Sequence, residues 1–243
     1  ACGPSIFAYA DERAAAERAA DAMLERLLAA EGAFRDPLLP ADEAAREAVR
    51  LAAAGGGPVV IADPQDNPGA GGTGDSTGVL AALLAAGARG AALSAFQDPD
   101  AAAAAHAAGV GAVLEIALGG AQPEVSPALP VRARVEALSD GRFAFTGPMF
   151  GGATADLGPM ARLAIEHGEA AVEVIVASRR AQNADLEMFR VLGVEPADMR
   201  ILAVKSAIHF LAAYAPLAQA VLYAEAPGAN PCRLETIPYT RLR

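Results

Sequence analysis

The segment Asp66-Asn67-Pro68-Gly69-Ala70-Gly71-Gly72-Thr73-Gly74-Asp75-Ser76-Thr77 is the part of this chain best suited to hold a ligand. Its four glycines, packed into six residues, open backbone conformations closed to other residues and let a second group come close. The segment lies between an apolar run, Val59–Asp63, and a helix expected over Ser76–Ala86. The free N–H groups of that helix start would point outward, a geometry suited to a carboxylate or a phosphate. It is not a Walker loop, because no Lys follows the last glycine, and Asp75 would repel a phosphate. Asp75 reads more simply as the N-cap of the helix, and Asn67-Pro68 is ordinary turn chemistry, so a plain strand–turn–helix junction stands beside the ligand reading.

A second constellation is Ser178-Arg179-Arg180-Ala181-Gln182-Asn183, at the end of a strand expected over Val172–Ala177. Strand ends in α/β sheets are where ligand groups gather. Two arginines there could fork onto a carboxylate, or could neutralise Asp185 and Glu187 at a helix start. The third is Lys205-Ser206-Ala207-Ile208-His209, where Lys205 is the only lysine of the chain. It could pair with an acidic loop or with a ligand carboxylate. Ser206 would cap a helix over Ala207–Ala215, with His209 one turn in on the face of Lys205. A histidine so placed is also compatible with a hydrogen-bonded structural role. His106 and His167 are scattered, and no His-x-x-x-His, His-x-Asp or Glu-x-x-His spacing occurs. A catalytic zinc takes about three protein ligands, and no Gly-x-Ser-x-Gly elbow or Cys beside a base is present. On its own residues the chain does not read as a complete enzyme.

The elements that must position these groups follow from periodicity. Ser5–Tyr9 is a short β-like run, a helix spans about Asp11–Glu31, and Phe34–Pro40 is a Pro-punctuated connector. Asp42 then caps a second amphipathic helix that ends at Gly55-Gly56-Gly57. From Pro58 the pattern changes. Val59–Asp63, Ala91–Phe96 and Val113–Leu118 read as strands, separated by the helices Ser76–Ala86 and Pro99–Ala108, a β–α–β–α–β rhythm that implies parallel pairing. Val131–Leu138 and Arg142–Phe145, joined at Ser139-Asp140-Gly141, read as an antiparallel hairpin. Strands over Ala161–Ile165, Val172–Ala177, Ile201–Val204 and Val221–Ala224 follow, with a helix over Leu186–Leu192. The expected fold is α/β: a mixed, largely parallel sheet with helices on both faces and an antiparallel hairpin excursion. Residues 1–57 form a helical lead-in, the tail of a preceding domain, and residues 58–243 form the α/β domain.

Composition narrows the function classes. Of the 243 residues, 53% are hydrophobic and 20% charged, which excludes a disordered chain. The 19 basic and 29 acidic side chains leave a net charge of −10, which disfavours a nucleic-acid partner. No basic amphipathic stretch suggests an anionic membrane surface, and the longest apolar stretches meet a charge or proline before reaching spanning length. Cys2 and Cys232 form no CxxC pair and read either as free thiols in a reducing cytosol, consistent with a cytoplasmic location, or as a bridge. The first residue is Ala rather than Met, which reads as a fragment or a processed product.

These segments together resemble the microcystinase C (MlrC) family of metallopeptidases. The resemblance rests on the Asp66–Thr77 motif, on Ser178-Arg179-Arg180 with Gln182 followed by Phe189-Arg190-Val191-Leu192-Gly193, and on Lys205-Ser206-x-x-His209-Phe210. Leu138-Ser139-Asp140-Gly141 to Gly147-Pro148-Met149 fits between them, and the order and spacing cover about Pro58–Arg243, the family's C-terminal domain. The resemblance implies a zinc-dependent peptidase acting on small, often linearised, peptides. Its metal ligands and catalytic residues belong to an N-terminal metal-binding domain, so no metal or catalytic position carries over to this chain. The groups expected to face substrate are Asp66, Asn67, Gly69, Gly71, Gly74, Asp75, Ser178, Arg179, Arg180, Gln182, Lys205, Ser206 and His209, with backbone N–H groups of the Gly69–Gly74 loop. One departure is Leu211-Ala212 after Phe210, where family members often carry an Arg. The alternative is a non-catalytic anion-binding or oligomerisation module, in which the alanine-rich helices hold a homo-oligomer together.

Overall fold

The computed structural model describes residues 4–34 and 38–240, which fall into two compact units. The smaller holds α1 (Arg13–Ala29), where Arg13 and Glu17 pair one turn apart at 2.7 Å. Ser5–Tyr9 forms no strand. Cys2 lies outside the described residues, and with it the pairing considered for Cys232.

The larger unit spans Leu38–Thr236. In chain order it contains β1 (Leu38–Pro40), α2 (Ala41–Ala52), β2 (Val59–Ala62), α3 (Gly78–Ala85), β3 (Arg89–Gln97), α4 (Pro99–Ala108), β4 (Val113–Leu118) and β5 (Leu129–Ser139). There follow β6 (Arg142–Ala144), β7 (Thr154–Asp156), β8 (Met160–His167), β9 (Ala170–Ala177), α5 (Glu187–Arg190), β10 (Ile201–Val204), α6 (Leu211–Tyr214) and β11 (Ala220–Glu225). Nine strands form one sheet in the order β1-β11-β2-β10-β3-β9-β8-β5-β4. From β1 to β9 every pairing is parallel; β9, β8, β5 and β4 are joined antiparallel.

The parallel half is apolar on both faces because both are covered. Val59, Ile61, Ile201 and Ala203 point to one side, where they meet Ala44, Ala45 and Ala48 of α2 and Val79, Leu80 and Leu83 of α3. Val60, Ala62, Leu202 and Val204 point to the other, against Met188, Phe189, Phe210 and Tyr214. Alternation along each strand thus feeds two cores from one short run. The small alanine faces of α2 and α4 let these helices sit close to the sheet.

The sequence expectations need correction at several elements. The hairpin between Val131–Leu138 and Arg142–Phe145 does not form: β5 pairs with β4 through Leu129–Arg134 and with β8 through Ala133–Ser139, and not with β6. β6 pairs instead with β7 in a separate two-stranded sheet. β4 does not continue the parallel rhythm but pairs antiparallel with β5 at the sheet edge. The connector before α2 contains β1, which pairs with β11. α2 starts after Pro40 without a side-chain cap, and Asp42 instead pairs with Arg46 at 2.9 Å. Only Leu211–Tyr214 of the expected Ala207–Ala215 helix is helical, and α5 shortens to Glu187–Arg190.

For function the decisive consequence is directional. β2, β10, β3 and β9 are neighbours and mutually parallel, so the segments that leave their C-terminal ends emerge at one edge of the sheet. Those segments are the glycine loop, Lys205–His209, Asp98 and Ser178–Asn183.

Candidate functional site

The site is built on a buried ionic cage. Asp66, after β2, is fully buried, and its carboxylate closes the glycine loop on itself. Oδ1 accepts from the Gly74 N–H at 2.8 Å and from Thr73 Oγ1 at 3.1 Å. Oδ2 accepts from the Ser76 N–H at 2.8 Å and from Lys205 Nζ at 2.7 Å. Lys205 follows β10, whose pairing with β2 brings the two together in space. Its ammonium also donates to the Ser76 carbonyl at 2.8 Å, Ser76 Oγ at 3.0 Å and Asp63 Oδ2 at 3.3 Å, and lies 5.5 Å from the centre of the Phe96 ring. No part of Lys205 is exposed. It therefore joins the acidic loop, one of the two pairings the sequence allowed, and presents no charge to solvent.

Two carboxylates and one ammonium share this interior, so the carboxylates divide the roles. Burial pushes Asp63 above the usual carboxylate range, against the pull of Lys205. For Asp66 the cost of burial is overcome by Lys205 and the Gly74 and Ser76 N–H groups, which hold it below that range. Lys205, despite burial, is raised by Asp63 and Asp66. The Asp66–Lys205 pair is the ionised core of the cage.

The loop tip is fixed by its own chemistry. Asn67 Oδ1 accepts from the Gly69 N–H at 2.9 Å and caps a single 3₁₀ turn, Pro68–Ala70. The Asn67 carbonyl accepts from Ala70 and Gly72, and the Pro68 carbonyl from Gly71. With Gly74 bonded to Asp66, the N–H groups of Gly69, Ala70, Gly71, Gly72 and Gly74 are all engaged inside the loop. They are not free to cradle an anion. Gly71 adopts φ +96°, a left-handed conformation that favours glycine. A side chain at Gly72 would meet the Asp66 backbone at 2.5 Å.

Asp75 does not cap α3. Its Oδ2 accepts from the Ala121 N–H at 2.6 Å, and Thr77 takes the N-cap position with its N–H on Ser126 Oγ. The helix start is thereby satisfied by the segment before β5, a contact invisible to local sequence. Asp98 does cap α4, accepting from Ala101, and also accepts from Gly119.

After β9 the three polar residues diverge. Ser178 Oγ donates to the Pro159 carbonyl, and Arg179 pairs with Asp156 at 2.7 Å. Arg180 turns to the loop: its Nη1 donates to the Gly72 carbonyl at 3.3 Å, and its Cγ lies 3.7 Å from the position a Cβ on Gly74 would take. Neither arginine neutralises Asp185 or Glu187. Asp185 is buried and accepts from the Gly147 and Glu187 N–H groups, while Glu187 pairs with Arg190. Gln182 bridges to the third segment, its Nε2 donating to Ser206 Oγ at 3.1 Å and to His209 Nδ1 at 2.8 Å. Its Oε1 sits 2.1 Å from where a Gly69 Cβ would be. Ser206 is buried and caps no helix, and His209, in a turn rather than a helix, is exposed.

The three motifs therefore meet at one rim. Lys205 anchors the loop from below, Arg180 and Gln182 lie over it, and His209 joins through Gln182. Several contributors escaped sequence reasoning. Asp63 read only as the end of a strand. Gln65 is buried, donates to the Ala226 carbonyl and accepts from the Cys232 N–H, while Asn230 N–H donates to the Gln65 carbonyl. Their partners lie more than 160 residues away, so no local signal could reveal them. Asn183 accepts from the Tyr214 hydroxyl, and burial raises that phenol well above its ordinary range.

Among the described residues no group of three or more His, Cys, Asp or Glu side chains could hold a metal ion. These side chains do not fit a zinc centre, and no step through a metal is assigned to them. No helix of the described residues is long and apolar enough to cross a membrane.

A family model for the MlrC C-terminus matches residues 61–241. The chain is 30% identical over 167 residues to Microcystinase C from Sphingomonas sp., a match covering 68% of this chain and 31% of that protein. Its fold is similar to a crystal structure of a candidate metallopeptidase from Mesorhizobium sp. BNC1, with a TM-score of 0.77 and 26% identity, covering 94% of this chain and 44% of the other. The chain thus spans less than half the length of either relative.

Proposed function

Because this chain belongs to the MlrC C-terminus family, we propose that it is the C-terminal companion domain of a zinc-dependent peptidase acting on small peptides in the cytoplasm. In this reading the metal ligands and the reacting water belong to an N-terminal metal-binding domain, of which residues 1–57 are the tail. The present domain supplies one wall of the substrate site. The observation that carries the reading is the convergence of the glycine loop, Arg180, Gln182 and His209 at the C-terminal edge of four parallel strands, locked from beneath by Lys205.

The residues divide into two roles. Arg180, Gln182 and His209, with the surface of Gly69 and Gly71, face substrate; Arg179 and Ser178 border them, and the buried Asn67 holds the loop tip beneath. Asp66, Asp75, Gly74, Lys205 and Ser206 position that surface from inside. A rigid loop is the useful support here, because a wall that is fixed before substrate arrives loses little entropy on binding.

The test is metal analysis with a peptide-hydrolysis assay, run on a full-length protein of this family and on the 243-residue chain. The expected result is stoichiometric zinc and turnover in the full-length protein, and neither in the chain alone. Zinc with turnover in the chain alone would contradict the division of labour. A zinc-free, inactive full-length protein would favour the anion-binding module instead.

A further inference from the structure

Resting on that reading, we propose that the rim recognises a carboxylate group of the peptide, held by the Arg180 guanidinium and the His209 imidazole. The argument starts from what each donor has already spent. Of the two adjacent arginines, Arg179 is neutralised by Asp156. Arg180 is exposed, makes one hydrogen bond, to the Gly72 carbonyl, and has no ion-pair partner among the described residues. In a chain of net charge −10, Arg180 is therefore a positive group at the motif-built rim without a direct ion pair. Its stem lies beside Gly74 and its head is bonded to the Gly72 carbonyl, so most of its N–H fork stands ready at small entropic cost.

The second donor is set by Gln182. Because the Gln182 amide donates to His209 Nδ1, that nitrogen must accept, and the neutral ring carries its proton on Nε2. Nε2 has no partner among the described residues, and His209 is exposed. Gln182 thus acts as a positioning residue, seated between Gly69 and Ser206. Both outward groups are donors, which selects an anion. The loop itself selects among anions. Phosphate sites at glycine loops use free backbone N–H groups, and here those of Gly69, Ala70, Gly71, Gly72 and Gly74 are engaged. What is left suits the planar, singly charged carboxylate that a guanidinium fork matches.

The test is a binding titration of the 243-residue chain with N-acetyl-Ala-Ala carrying a free C-terminal carboxylate, with the same dipeptide as its amide, and with inorganic phosphate. Binding is followed by calorimetry and by the Arg side-chain NMR resonances. The acid is expected to bind at least about tenfold more tightly than the amide, the effect of one charge-assisted hydrogen-bonded pair. Arg180→Gln should abolish the difference. Arg200→Gln should keep it, since Arg200 precedes β10 at the opposite end of the strand. No measurable binding of the acid, equal binding of acid and amide, or tighter binding of phosphate overturns the proposal. The wild-type acid-against-amide comparison stands by itself should Arg180→Gln misfold. These readouts need no metal or turnover, so the carboxylate proposal can fail while the peptidase reading stands, and the reverse.

Discussion

At the scale of single residues, the cage shows how one ammonium can organise a loop without touching a ligand. Lys205 satisfies all three of its donors inside the protein, and its removal would leave Asp66 ionised and buried. Breaking such a pair costs about 3–5 kcal/mol. We expect Lys205→Met to lower stability by about that much in urea unfolding. Asp63→Asn should cost much less, about 1 kcal/mol or below, because its contacts run from 3.2 to 3.4 Å and burial already disfavours its charge. Equal losses would show that Asp66 does not depend on the ammonium. The isolation of Lys205 was visible in composition, as was an acidic loop able to receive it. Its burial was not, because that depends on β2 and β10 pairing across 139 residues between Lys205 and Asp66. A still longer separation, 161 and 167 residues, hid the role of Gln65.

At the scale of elements, the sequence located most strands and helices, since short continuous apolar runs and alanine-rich helical stretches have distinct periods. It failed where a choice of partner decided the outcome. Ser139-Asp140-Gly141 has the chemistry of a hairpin turn, yet the end of β5 beside it pairs with β8 and β6 pairs with β7 instead. Asp75 has the chemistry of a cap, yet the Ala121 N–H claimed it. The glycine loop was recognisable as special, but the N–H groups of its four glycines and Ala70 are engaged within it, so local flexibility became a rigid wall. This distinction is measurable. A Cβ on Gly72 would strike the Asp66 backbone, whereas Gly71 has open space and only its positive φ to defend. Gly72→Ala should destabilise by about 1–3 kcal/mol and perturb the Arg180 resonances, and Gly71→Ala by about 1–2 kcal/mol with those resonances unchanged. A matching disturbance of Arg180 in both variants would mean that the guanidinium is not held through Gly72.

At the scale of the whole molecule, the parallel half of the sheet carries the site, and the segment between β4 and β5 bonds Asp75 and Thr77 beside it. All the polar motifs sit at one edge because neighbouring parallel strands must point the same way. The family match and the two longer relatives are the context of our proposal that this edge borders chemistry performed by residues outside this chain. The central claim is that the rim touches substrate, and Gly69→Ala tests it most directly. The added methyl would stand 2.1 Å from Gln182 Oε1, so the side chain of Gln182 must leave its seat and release His209, while the buried cage is untouched. In a zinc-loaded full-length protein of this family carrying that substitution, we predict that kcat/KM for a small peptide falls about tenfold or more, with zinc content and unfolding midpoint near wild type. Unchanged kcat/KM with Gln182 displaced would contradict the account.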